Sequence, residues 1–336
     1  MSCFRRITNM ASPRHFNIVA LETFFTPLPE LSVPSPHTFS VAQYDRTTID
    51  EIPARIQNAD VLITTTIPLR KESLSREVCP NLQLIAVLAS GTDSLDLEIC
   101  KERGIRVLNS PSCNVDAVAE HAVALYFATR RSIMPIMRDL KAGEWPRQGS
   151  LMKRAFVAGQ SPRGCRDETV AIIGYGAVGR KVESLLGSLG MKVLVTGRKN
   201  STLGAAPGRV DFDRAIKNAT VLVFCCPRTP ETVGMISKKE FDVMRSDALV
   251  INVARGGIID EEGLLDALRE GKIAGAGVDV FDKEPASGDS SVLLGKGLDD
   301  LNLVVTPHTA WVGMDTTANY QRVLQENIDG FIQTKF

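Results

Sequence analysis

The chain has 336 residues, 44% hydrophobic and 23% charged, and its 39 Lys+Arg balance 39 Asp+Glu. That length exceeds what one hydrophobic core usually organises and points to two domains. The zero net charge argues against a bulk polyanion as partner, nucleic acid included, and leaves room for local basic pockets.

The first fourteen residues hold Arg5, Arg6 and Arg14 among Ser and Thr, with no acid before Glu22. Organelle-targeting segments and ordinary frayed termini share this pattern. From 15 to 109, short apolar runs alternate with helix-like spacers: 16–21, 38–42, 60–65, 83–88 and 105–108. Such a series predicts a parallel sheet of βαβ units. Val118, Ala122, Leu125 and Ala128 recur at helical spacing, predicting a long helix over 114–131. Residues 141–168, with Pro146 and Pro162, read as an irregular connection. A second series follows at 169–173, 192–196, 221–225, 248–253, 276–280 and 302–306, then an amphipathic helix over 313–332. Six strands with intervening helices match a doubly wound nucleotide-binding domain, Rossmann-type in its α/β layering. The last helix has no place in that completed sheet and is expected to return to the first unit.

No apolar run approaches the ~18 residues of a spanning helix, so no membrane association is expected. Cys3, Cys79, Cys100, Cys113, Cys165, Cys225 and Cys226 are odd in number and form no CxxC pair. They read as reduced thiols of a cytoplasmic protein, with Cys225 and Cys226 ending a buried strand. No metal site is expected.

Gly174, Tyr175, Gly176, Ala177, Val178 and Gly179 form a GxGxxG loop between a predicted strand and a predicted helix. That context suits a dinucleotide: a tight turn at Gly174, backbone approach to the pyrophosphate at Gly176, close packing at Gly179, and a helix N-terminus facing the phosphates. An acidic residue for the ribose 2′-hydroxyl belongs near position 197, yet the strand ends Thr196-Gly197-Arg198-Lys199, followed by Asn200, Ser201 and Thr202. Cations and hydroxyls there favour a 2′-phosphate, and hence NADP over NAD, with NAD possible. At later strand ends stand Arg255, Glu284 and His308. Arg255 supplies a two-donor fork for a 2-oxo acid. His308 can deliver a proton to a carbonyl oxygen, with Glu284 holding the imidazolium.

These segments resemble the D-isomer-specific 2-hydroxyacid dehydrogenase family. The matching stretches are Gly91-Thr-Asp-Ser-Leu-Asp96, Asn109 with Pro111, Val118-Ala-Glu120-His121, the loop 174–179, Asn252-Val-Ala-Arg255-Gly256-Gly257-Ile-Ile-Asp260, Gly277-Val-Asp279-Val-Phe with Glu284-Pro285, and Thr306-Pro307-His308-Thr-Ala-Trp311. The resemblance implies Arg255 as the substrate-orienting cation and His308, paired with Glu284, as acid/base. It implies that Ala89, Ser90 and Gly91 present backbone N–H groups to the substrate carboxylate. Val253 and Asp279 are to face the nicotinamide, with Ala254 among the cofactor contacts, and Cys226 and Pro227 the adenosine end. Trp311 either closes the substrate pocket or is a plain core aromatic. His121 competes for any role assigned to His308, but on an apolar helix face it reads more readily as a packed core residue.

The family further implies a flavodoxin-like substrate domain, 1–117 with 310–336, interrupted by the dinucleotide-binding domain 118–309. A cleft that closes on ligand and a homodimer supported by the helix over 114–131 follow from the same likeness. Within the family, the residues after Val195 resemble NADP-dependent glyoxylate/hydroxypyruvate reductases, and His308 to Trp311 resemble glycerate dehydrogenases and the C-terminal-binding corepressors. The expected activity is hydride transfer between NAD(P)H and a small 2-oxo acid. The alternative is a dimeric NAD(H)-sensing corepressor on the same scaffold. Residues 158–166 and the first fourteen depart from the family pattern.

Overall fold

A computed structural model describes residues 12–157, 159–201 and 208–335. The chain separates into two units, Met1–Asn114 with Gly313–Phe336 and Val115–Val312.

The first unit carries five parallel strands, β1 (His15–Ala20), β2 (Thr38–Gln43), β3 (Val61–Thr64), β4 (Leu84–Val87) and β5 (Arg106–Leu108), in the order β2-β1-β3-β4-β5. This is the flavodoxin-like order. β3 and β4 are buried along their whole length and so read as continuous apolar runs, while β2 is an exposed edge. Glu22, 3% exposed at the end of β1, accepts N–H groups of Thr65 and Ile67 at 2.8 and 3.0 Å and fastens the loop after β3. The terminal helix Met314–Lys335 lays Thr316, Tyr320, Leu324, Ile328 and Ile332 into the core, packs on β4, and donates from Asn327 to the carbonyl of Asn109.

The second unit carries β6 (Thr169–Ile173), β7 (Lys192–Val195), β8 (Val221–Phe224), β9 (Leu249–Asn252), β10 (Gly275–Val278) and β11 (Leu303–Val305), all parallel, in the order β11-β10-β9-β8-β6-β7. Outside β7, Val210 forms one parallel bridge with Thr196. Counting that bridge as a rudimentary strand, the sheet has the doubly wound order 3-2-1-4-5-6 with one strand more. A single bridge leaves no periodic signal, so the sequence shows six strands only.

The helix Val115–Arg130 packs on β9, β10 and β11 through Val118, Ala122 and Leu125. Its last residue turns inward: Arg130 is 3% exposed and forks onto Glu168 at 2.6 and 3.1 Å.

The stretch 141–168, expected to be irregular, is ordered in part. It holds the helix Glu144–Gln148 and the turns Met152–Ala155 and Cys165–Asp167, and the helix Ile133–Lys141 precedes it. Pro146 does not prevent the short helix because it lies in the first turn, where its missing N–H is not needed. Cys3, Arg5, Arg6, Ala158 and Thr202 lie outside the described residues. Among the described residues, no helix is long and apolar enough to cross a membrane.

Candidate active site

The glycine loop follows β6 directly. Gly174 has φ +95°, and a Cβ there would lie 2.4 Å from the backbone nitrogen of Cys226. A Cβ on Gly179 would lie 2.2 Å from the carbonyl oxygen of Gly174, so loop and helix meet at backbone contact. Gly176 faces open space. It is also the N-cap of the helix Ala177–Ser188, which has no side-chain cap. An uncapped helix N-terminus beneath an open glycine fits a pyrophosphate.

At the end of β7 the two expected cations part company. Arg198 is exposed, and its charge helps lower the pKa of Glu231. Lys199 is drawn inward: its Nζ donates to Glu240 Oε1 and to the Met235 carbonyl, both at 2.7 Å, and lies over the Phe212 ring. Lys199 therefore holds the domain together at a place where a phosphate contact was expected. A cation that sequence reasoning missed stands there as well. Arg209 donates to the Thr196 carbonyl at 3.1 Å and stacks 5.3 Å above the Tyr175 ring, which also lies 5.9 Å from Arg180. Its one sequence signal is position, immediately before Val210 and the helix-capping Asp211.

The Asn252 side chain shapes the turn after β9, accepting the Ala254 N–H at 3.1 Å and donating to the Arg255 carbonyl at 3.0 Å. Next to it, a Cβ on Gly256 would lie 1.8 Å from the Phe281 carbonyl oxygen. The absence of that side chain lets the β9 and β10 loops touch, and this brings Arg255 and Glu284 into one neighbourhood. Glu284 accepts the Phe281 N–H at 2.9 Å and meets His308 Nδ1 at 2.6 Å. Burial opposes ionisation of Glu284, but the His308 hydrogen bond and charge, the Phe281 N–H and the Arg255 charge outweigh it. They hold the carboxyl below its ordinary range. One Arg255 Nη donates to its neighbour's carbonyl, Ala254, at 2.8 Å.

His308 adopts φ +53°, a left-handed conformation unusual for a side-chain-bearing residue, and its N–H donates to the Asp279 carbonyl at 2.7 Å. Because Nδ1 faces a carboxylate, it carries a proton, and Nε2 is the nitrogen that Glu284 does not engage. Asp279 does not offer an open carboxylate to a ligand: it is 1% exposed and accepts from Thr306 Oγ1, Thr309 N and Ala310 N at 2.6, 2.9 and 3.0 Å. Its role in this structure is to hold the His308 loop. His121 is likewise more than a packed core residue, with Nε2 2.9 Å from Thr306 Oγ1.

Val253 and Ala254 are each 7% exposed. Trp311 is half-buried against the apolar cluster of Val304 and Ala310. Cys225 and Cys226 follow β8, and burial pushes their thiols up to about 12 and about 11, so both are protonated and unreactive near neutrality. The Pro227 carbonyl is held by Thr232 at 2.8 Å. In the first unit, Ala89, Ser90 and Gly91 form the loop after β4, braced by Asn109 donating to the Ser90 carbonyl at 2.8 Å and by Ser90 Oγ bonding Asn114 at 3.0 Å.

Residues 123–310 match the family model described as D-isomer specific 2-hydroxyacid dehydrogenase, NAD binding domain. The chain is 35% identical over 305 residues to a glycerate dehydrogenase of Methylorubrum extorquens, covering 89% of this chain and 91% of that protein. It is 30% identical over 295 residues to a hydroxypyruvate reductase of Blautia hydrogenotrophica, covering 86% and 88%. Among solved structures, an acyclic imino acid reductase in complex with NADPH and D-Arg superposes with a TM-score of 0.73 at 26% identity, over 95% of this chain and 98% of that one.

Proposed function

From the premise that the chain belongs to the D-isomer-specific 2-hydroxyacid dehydrogenase family, we propose that it reduces a small 2-oxo acid to the D-2-hydroxy acid with NADPH. Hydroxypyruvate and glyoxylate are the substrates of first choice. The observation that carries this reading is the 2.6 Å contact of His308 with Glu284 in the neighbourhood of Arg255, on the sheet that also carries the glycine loop. The corepressor alternative gains no support from the named relatives, which are enzymes.

The bound nicotinamide supplies the hydride, and the remaining work falls to side chains of this chain. The loop 174–179 and the first turn of the helix after it cradle the pyrophosphate. Arg255, one Nη of which donates to the Ala254 carbonyl, orients the carboxylate and carbonyl of the oxo acid through its guanidinium. His308 donates its Nε2 proton to the carbonyl oxygen as the carbon receives hydride, and takes it back in the reverse direction, while Glu284 balances the imidazolium charge. Trp311 contributes an apolar face to the substrate's environment.

NADP preference is supported by the lack of a carboxylate after Val195, by exposed Arg198, and by Arg209 and Arg180 flanking Tyr175. A homodimer is supported by an apolar surface on the second unit, where Met134, Leu140 and Trp145 are 48%, 49% and 56% exposed. Unbonded Cys79, Cys100, Cys113, Cys165, Cys225 and Cys226 are consistent with a cytoplasmic setting.

A panel of 2-oxo acids from glyoxylate upward, assayed with NADPH and NADH, tests the reading. Turnover highest on the two- and three-carbon acids with NADPH is expected. No turnover on any oxo acid, with nucleotide-dependent association instead, refutes it.

A further inference from the structure

His121 lies on the helix Val115–Arg130, and its side chain is 22% exposed. Its Nε2 is 2.9 Å from Thr306 Oγ1 and 3.5 Å from Asp279 Oδ1. Thr306 has one hydroxyl proton and donates it to Asp279 Oδ1 at 2.6 Å, so its oxygen accepts from His121. The imidazole therefore carries a hydrogen on Nε2.

Asp279 is the hub of this arrangement. Oδ1 also accepts the Thr309 N–H, Oδ2 accepts the Ala310 N–H, and the main-chain carbonyl of Asp279 accepts the N–H of His308. Three consecutive N–H groups, beginning with that of His308, thus converge on one residue. A carboxylate this deeply buried persists only with a full set of donors. Two backbone N–H groups and the Thr306 hydroxyl supply them, and the imidazole of His121 donates in turn to that hydroxyl. The same set keeps His308 at its left-handed φ and in register with Glu284.

We propose that His121 is a positioning residue for the reaction: its Nε2–H, through Thr306 and Asp279, holds the turn that presents His308 to Glu284. The proposal rests on the reading of His308 as acid/base. It assigns His121 a donor's role; a packing role would ask only for volume.

The test compares His121→Phe, which keeps bulk and removes the donor, with His121→Gln, which keeps a donor of similar reach, and with Thr306→Val, which removes the relay and keeps the shape. Each full-length variant is assayed for kcat, for KM of hydroxypyruvate, for NADPH affinity by nucleotide fluorescence, and for Tm. His121→Phe and Thr306→Val are expected to lower kcat about 10- to 100-fold with NADPH affinity within about twofold of wild type. The double variant should be no worse than either single, and His121→Gln should recover most of kcat. Wild-type kcat in His121→Phe, or equal impairment in His121→Phe and His121→Gln, overturns the proposal, as does a parallel fall of kcat, affinity and Tm. If His121→Phe does not fold, Thr306→Val decides: unchanged kcat there overturns it too. His308→Gln separates the two levels, since undiminished turnover in that variant refutes the acid/base reading whatever the His121 series shows.

Discussion

Glu284→Gln keeps the shape of the side chain and removes its charge. In the wild type one oxygen accepts the Phe281 N–H at 2.9 Å and the other meets His308 Nδ1 at 2.6 Å. An amide has a single acceptor oxygen. If that oxygen stays on the Phe281 N–H, the NH2 group faces Nδ1, which must then shed its proton, and the neutral ring carries its hydrogen on Nε2 instead. A charge-assisted hydrogen bond contributes about 1.5–3 kcal/mol. At ~1.4 kcal/mol per factor of ten, kcat for oxo-acid reduction should fall ~10- to ~150-fold. Hydroxy-acid oxidation should fall further, because it needs an Nε2 free to accept a proton. Initial rates in both directions at saturating cofactor, with NADPH affinity measured separately, read this out. A kcat within twofold of wild type in both directions refutes the assignment, and so does a loss confined to NADPH affinity. The sign of the pH effect follows from the lowered pKa of Glu284. The pair's stabilising contribution is present above the ordinary carboxylate value of ~4.3 and is lost as pH falls through the lowered folded value. The gap in Tm between wild type and variant should therefore narrow as pH drops below that range. A gap that widens would contradict the pairing.

At the end of β7, Arg209→Glu should lower the ratio of NADPH to NADH kcat/KM by ~10- to ~150-fold, the equivalent of one charge-assisted contact. Lys199→Met, which removes the 2.7 Å contact with Glu240, should lower Tm and leave that ratio unchanged. The opposite pattern would place the phosphate at Lys199. Gly256→Ala drives a methyl group against the Phe281 carbonyl and should destabilise by about 1–3 kcal/mol or more, with a fall in kcat because the Glu284 loop must move. Wild-type Tm and kcat in this variant would show that the two loops are not in contact.

Every strand of both sheets was legible as a short run rich in apolar residues; the central strands stand out most, because buried parallel strands are apolar on both faces, while β2 is an exposed edge. Arg255, Glu284 and His308 were legible because each closes such a run. Most of the illegible features depend on partners distant in the chain. Lys199 and Arg198 are adjacent and chemically alike, and only the position of Glu240, 41 residues on, turns one inward. Asp279 looked like a ligand-facing acid, since a sequence does not show that three main-chain and side-chain donors will surround its carboxylate. His121 looked apolar by its helix face, yet it meets Thr306 from 185 residues away. The helix Glu144–Gln148 was hidden by Pro146, whose tolerance depends on lying in a first turn.

Beyond β7 the sheet is continued by one bridge, sustained by the Gly197 N–H on the Val210 carbonyl and the Val210 N–H on the Val195 carbonyl, each at 2.8 Å. Two main-chain hydrogen bonds contribute about 1–3 kcal/mol together, a modest part of the ~5–15 kcal/mol by which a folded domain exceeds its unfolded state. On the reading proposed above, the residues that would discriminate between dinucleotides hang on a margin held by one bridge, while Glu284 and His308 follow β10 and β11 at the other end of the sheet, where the buried Asp279 ties the His308 turn in place. In a lineage carrying this architecture, nucleotide preference can drift by exchanging a short rim segment. The proton-transfer machinery admits no such local exchange, and the two properties should diverge at different rates.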